Sequence, residues 1–149
     1  MDIWRYAAAA GAGAARARSL LAGSPVRPLH PAGRTFTAEV EVWGGGERHW
    51  GAGLLDIAGR HEATVRVSKG AGTPDGWPDV LGLAIRVAGA GATGPFDLLL
   101  SSTGRAPGLR HLPTPRRDFT ATYGSILPYH GRRGRVWLAA LPAPGVTAL

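Results

Sequence analysis

Twenty-three glycines and twelve prolines are spread through 149 residues, and this spacing limits what the chain can build. Glycine supplies turn conformations and weakens helix interiors, while proline removes a donor and fixes its own φ. Outside the first 24 residues, few stretches escape one or the other for long. A bundle of long helices is therefore excluded, and short strands joined by turns are favoured. With 44% hydrophobic and 18% charged residues, the chain has the composition of one globular domain rather than a disordered segment.

The first segment is the exception. Residues 4–22 are alanine-rich and predict an N-terminal helix, carrying Trp4, Tyr6, Leu20 and Leu21 as its large apolar groups. Gly23, Ser24 and Pro25 stop it, so residues 1–24 form a helical segment and residues 25–149 the main domain. Pro25, Pro28 and Pro31 then make a stiff, extended stretch holding Arg27 and His30. Because Pro31 follows it, His30 is expected in the β or polyproline region.

From Thr35 the pattern has period two. Phe36, Ala38, Val40 and Val42 share one face, and Thr37, Glu39 and Glu41 share the other, which predicts a half-buried strand. Further strands are predicted over 63–68, 81–87, 96–101 and 135–140. Residues 50–58 fit a helical turn or another short strand, and 70–79 and 104–118 are loops. The fold class is mainly β (α+β), an antiparallel sheet curling toward a barrel, with an N-terminal helix. Trp43, Trp50, Trp77 and Trp137 are read as core and rim packing, and Asp79 and Asp97 as turn and sheet stabilisers.

Charge and missing residue types narrow the function classes. The net charge is +7 and Lys69 is the one lysine among the cations. The arginines are scattered and not interleaved with aromatics, so a nucleic-acid surface is disfavoured. An anionic small ligand or cofactor suits scattered arginine equally well. The absence of cysteine excludes disulfides, thiolate metal sites and a cysteine nucleophile. No apolar run reaches the roughly 20 residues of a membrane span, and a cytoplasmic location is the default expectation.

Several motifs fail on context. Gly89, Gly91 and Gly94 match GxGxxG, but a strand follows where a dinucleotide fingerprint needs a helix, so the match reads as a hairpin loop. His61-Glu62 lacks the second histidine of HExxH, and no GxSxG elbow occurs. The five histidines are well separated in sequence, and no metal-ligand spacing stands out.

What survives is a polar constellation on stiff elements. Arg66 and Ser68, two apart on a strand, point the same way. If they face a ligand, Ser68 can hydrogen-bond one nitrogen of His30 and fix its tautomer, leaving the other for proton transfer. Arg27 and Arg66 can pair with carboxylates of a bound anion. The plainer alternatives are a structural histidine, a serine bonding its neighbouring strand, a solvated Arg66, and an Arg27 that caps the helix end.

At these residues the sequence resembles the heme-dependent catalase family. The family's R-x-x-H-x-x-G is matched by Arg27, His30 and Gly33, and its V-R-x-S-x-x-x-G by Val65, Arg66, Ser68 and Gly72. Its D-x-x-G-x-A-x-[KR] is matched by Asp79, Gly82, Ala84 and Arg86. Phe96-Asp97-Leu98 stands where the family has W-D-L, and Tyr123-Gly124-Ser125 matches its Y-G-S. The resemblance covers residues 25–102 and, more loosely, 119–140. It implies a heme in an antiparallel catalase-like barrel, partial here, with peroxide as the small-molecule substrate. His30 would be the distal base, oriented by Ser68, with Arg27 and Arg66 on the propionates and Val65 against the cofactor.

Two departures follow from the same comparison. Ser101 stands where the family has a peroxide-orienting asparagine. The family's axial tyrosine motif R-x-x-x-Y is absent, which leaves Tyr123 or Tyr129 as the available phenols and the axial ligand unidentified. The expectation is a heme binder with weak or absent peroxide chemistry. The alternative is a non-catalytic remnant that oligomerises or pairs with another chain, because a partial barrel leaves strand edges unpaired. A third reading, a hydrolase, follows small catalase-like bacterial proteins that bear a phosphodiesterase label; no metal cluster or nucleophile here supports it.

Overall fold

Alternating side chains along the strands produce one sheet with two different faces. The structure is a computed structural model and describes residues 30–47, 49–89 and 94–145. The expected helix within residues 1–24, and Arg27, lie outside the described residues. The elements are β1 (Gly33–Val42), α1 (Gly53–Asp56), β2 (Gly59–Lys69), β3 (Leu81–Val87), β4 (Phe96–Ser102), β5 (Tyr123–Gly124), β6 (Tyr129–Gly131), β7 (Gly134–Val136) and β8 (Ala139–Ala140). Six of them form an antiparallel sheet in the order β1-β2-β3-β4-β5-β8, curled into a half-barrel, while β6 and β7 pair separately. Apart from the four residues of α1 there is no α-helix among the described residues.

Register decides which side chains meet. Phe36 pairs with Val65 and Val65 with Ile85, so the apolar residues of β1 to β4 share one face. Leu54, Ala63 and Val87 form one core cluster there with Val40, Val42, Ile85 and Phe96 around them. Leu81, Leu100 and Tyr123 form a second, flanked by Leu83, Phe119 and Leu138. Leu81 and Val87 are fully buried, each worth about 1.5–3 kcal/mol of apolar transfer. The other face carries Thr35, Thr37, Glu39, Thr64, Arg66, Arg86 and Asp97.

Several expectations change. The strand expected over 63–68 begins at Gly59, and the ambiguous segment 50–58 holds the single turn α1. The strand expected over 135–140 is two pieces, β7 and β8, in different sheets. The tryptophans are not core: Trp43 is 84% exposed and Trp77 64%, because both sit in glycine- and proline-rich connections rather than on the apolar face. The GxGxxG segment joins β3 to β4, which pair antiparallel. That topology is a hairpin and excludes the parallel βαβ unit of a dinucleotide fold.

Candidate functional site

Ser68, Gly82 and Ser101 face one another across β2, β3 and β4, since Ser68 pairs with Gly82 and Gly82 with Ser101. Directly paired residues project to the same side, here the side away from the apolar core. The chain entering β1 crosses this row. The backbone N–H of His30 donates to the Gly70 carbonyl at 2.9 Å, and its own carbonyl accepts from Arg66 Nη2 at 3.1 Å. Its Nδ1 lies 2.8 Å from Ser68 Oγ. The imidazole lies against Gly82, where a Cβ would stand 2.5 Å from His30 Cε1 and 2.7 Å from Nδ1. Only glycine leaves room for the ring.

His30 also adopts a φ of +55°, in the left-handed region rather than the extended one that Pro31 favours. Histidine enters this region more readily than most residues, but holding it there costs on the order of 1–3 kcal/mol. The three hydrogen bonds and the Gly82 seat offset that cost. Burial lowers the His30 pKa below its ordinary 6.5, and the Arg66 guanidinium lowers it further, against a smaller opposing pull from Asp79. The imidazole is therefore neutral at pH 7, and its Nε2 has no hydrogen-bond partner among the described residues.

The loop behind the histidine is fixed by Asp79. Its carboxylate accepts from the N–H of Ala71 at 3.0 Å and of Thr73 at 2.9 Å. Burial pushes this carboxyl up, but the N–H groups of Ala71, Thr73 and Val80 and the Thr73 hydroxyl hold it below its usual range. Gly70, whose carbonyl receives His30, is fixed in turn by donating to Val80 O at 2.8 Å. Asp97 is a sheet stabiliser, bound by Arg86 through Nε and Nη2 at 2.7 and 2.8 Å.

The structure thus brings together His30, Ser68 and Arg66. Ser101 belongs to the same row, one strand beyond Gly82, about 9–10 Å across the sheet from Ser68 at two strand spacings. Val65 is separated from them. It lies between Phe36 and Ile85 on the apolar face, because adjacent strand residues point to opposite sides. Two contributors were not among the expected site residues. Gly82 seats the ring and Gly70 anchors its backbone; a glycine inside a strand, as Gly82 is, signals close approach of another group.

The two tyrosines are occupied in other ways. Tyr123 is buried on the apolar face and donates to the Phe119 carbonyl at 3.1 Å. Burial, with the charge of Asp118 behind it, pushes its phenol up to about 12. The Tyr129 hydroxyl accepts from Leu99 N–H at 2.8 Å and reaches Asp97 O at 3.5 Å. It serves two β4 backbone groups beyond the reach of the two-residue β5.

Tested against a heme, these residues fit on one side only. An imidazole whose Nε2 has no partner among the described residues, a hydroxyl that orients it and a guanidinium could meet one face and a carboxylate edge of such a group. Neither phenol suits an iron ligand, one being held protonated beneath the sheet and the other bonded to β4. No group of three or more His, Asp or Glu side chains able to hold a metal ion occurs among the described residues. No helix among them is long and apolar enough to cross a membrane. Compared with known proteins, the chain matches no family model, no curated sequence and no solved structure.

Proposed function

We propose that this chain is a catalase-like half-barrel that binds heme on the face carrying His30, Ser68, Arg66 and Ser101, with peroxide chemistry weak or absent. The observation that carries the reading is the multiple restraint of His30, which leaves Nε2 as its one bare polar atom among the described partners. A neutral imidazole fixed at Nδ1 by a serine hydroxyl is suited to take up and return a proton at Nε2. Arg66 offers a planar cation to a carboxylate such as a propionate. Because neither phenol suits the axial position, recognition rests on these edge contacts, and activity on peroxide is expected to be slight. Titration of the purified chain with hemin tests this. A saturable Soret change, abolished in the His30→Ala/Arg66→Ala double variant, is expected; a flat difference spectrum, or one the variant leaves unchanged, contradicts the reading.

A second reading, a non-catalytic partner-binding remnant, is favoured by a different observation. β1 is an edge strand of ten residues whose outer side has no pairing strand among the described residues, and such an edge can recruit another chain. Sedimentation at rising concentration checks it. A purely monomeric boundary counts against self-pairing.

A further inference from the structure

On the far side of Ser101 from His30, the sheet row runs on to Gly124 and Ala139. There the chain lines an open cavity of about 450 Å³ that shares no residue with the His30 cluster. Thr103 is fully buried in its wall, and neither Thr103 Oγ1 nor His111 Nδ1 has a hydrogen-bond partner among the described residues. A buried polar atom left so costs about 1–3 kcal/mol, and two at one cavity call for an explanation. Arg105 and Arg110 add two exposed guanidinium groups to the same wall, and no carboxylate is among the described lining residues. The indole of Trp137, 46% exposed, packs against His111 with ring centroids 5.4 Å apart. Trp137, Ala139 and Leu141 are exposed and line the cavity, and the half-buried Leu138 between them lines it too while packing, like Ala140, against the Leu81 cluster.

We infer that this cavity binds a planar aromatic ligand carrying one carboxylate or phosphate. The ring would lie against Trp137 and the aliphatic groups of Ala139 and Leu141, where flat apolar contact is available. The anion would be held by Arg105 and Arg110, whose planar forks match carboxylate and phosphate oxygens. Thr103 and His111 would give the ligand's polar end further hydrogen-bonding atoms after a small side-chain adjustment. The volume is that of a small-molecule site. The inference is independent of heme, since its residues and chemistry are separate.

The full chain titrated with benzoate and with phenyl phosphate tests it, followed by tryptophan fluorescence, with benzyl alcohol as the uncharged control. Saturable quenching by at least one anion and none by the alcohol is expected, and the tighter anion identifies the headgroup. Trp137→Phe should remove the signal. Arg105→Ala/Arg110→Ala should weaken binding at least about tenfold, with far-UV circular dichroism unchanged because both side chains are exposed. Thr103→Val, which keeps the buried shape, gives a second variant and should also weaken binding. No saturable response to either anion, or a response that survives Arg105→Ala/Arg110→Ala and Thr103→Val undiminished, overturns the proposal.

Discussion

The first four strands and the segment after Thr103 are held together by different means. β1 to β4 are seven to eleven residues long and run as a meander whose apolar side chains meet in register. After Thr103 the strands are two or three residues long, too short to hold by ladder bonds alone. Single side chains stand in for missing strand. Ser102 Oγ accepts from Leu81 N–H at 2.9 Å and donates to Thr114 O at 2.7 Å. Ser125 Oγ accepts from Leu138 N–H at 2.9 Å, and the Tyr129 hydroxyl completes β4. A meander tolerates the loss of one polar group, whereas the second region depends on each.

The largest expected effect lies where the two regions share a core. Leu81→Ala should cost about 2–5 kcal/mol, read as a lower urea midpoint, since Leu81 is fully buried between β4 and Tyr123. A loss under 1 kcal/mol would show that the regions do not share that cluster. Ser102→Ala should cost about 2–3 kcal/mol, because it orphans two backbone groups at a fully buried position. A near-neutral result would mean that the loop after Thr103 is not tied to the sheet through Ser102. Gly82→Ala should cost about 1–3 kcal/mol as overpacking, and it should also abolish any hemin response by driving the His30 ring off its seat. Tyr129→Phe comes last, at about 0.5–1.5 kcal/mol for one hydrogen-bonding group.

Acid separates the histidine from the carboxylates. The folded pKa of His30 lies below its unfolded 6.5, so the unfolded chain binds the proton first. Stability should therefore be complete above 6.5 and fall as the pH drops through 6.5 and then through the folded value. The lowered carboxyl of Asp79 acts lower, its contribution being present above 3.8 and lost beneath it. Urea midpoints measured between pH 8 and pH 5 should fall for the native chain and stay flatter for His30→Gln. Equal slopes for the two would remove His30 as the cause.

The same division separates what could be read from residue order from what could not. Period-two alternation predicts β1, β3 and β4 nearly to their ends, because each buries one face on a neighbour of similar length. It also places Arg66 beside Ser68 on one side. It misses β5 and β6 and runs β7 and β8 together as one strand over 135–140, because their conformation follows from Ser102, Ser125 and Tyr129 reaching partners 12 to 30 residues away. The pattern allows a hydrogen bond between His30 and Ser68, but it does not predict the left-handed φ of His30. That conformation is imposed by Gly70, Arg66 and Gly82, against the local preference set by Pro31. Val65 enters the expected site only through its place in a motif, although alternation alone puts it on the opposite face from its neighbour.

Everything functional at the polar face depends on His30 being a sheltered, neutral imidazole secured by Ser68. Nitrogen-15 NMR of the imidazole across a pH titration measures this directly. A midpoint below 6.5 and a changed Nδ1 resonance in Ser68→Ala are expected. A midpoint at or above 6.5, with an Nδ1 signal indifferent to that substitution, would contradict it.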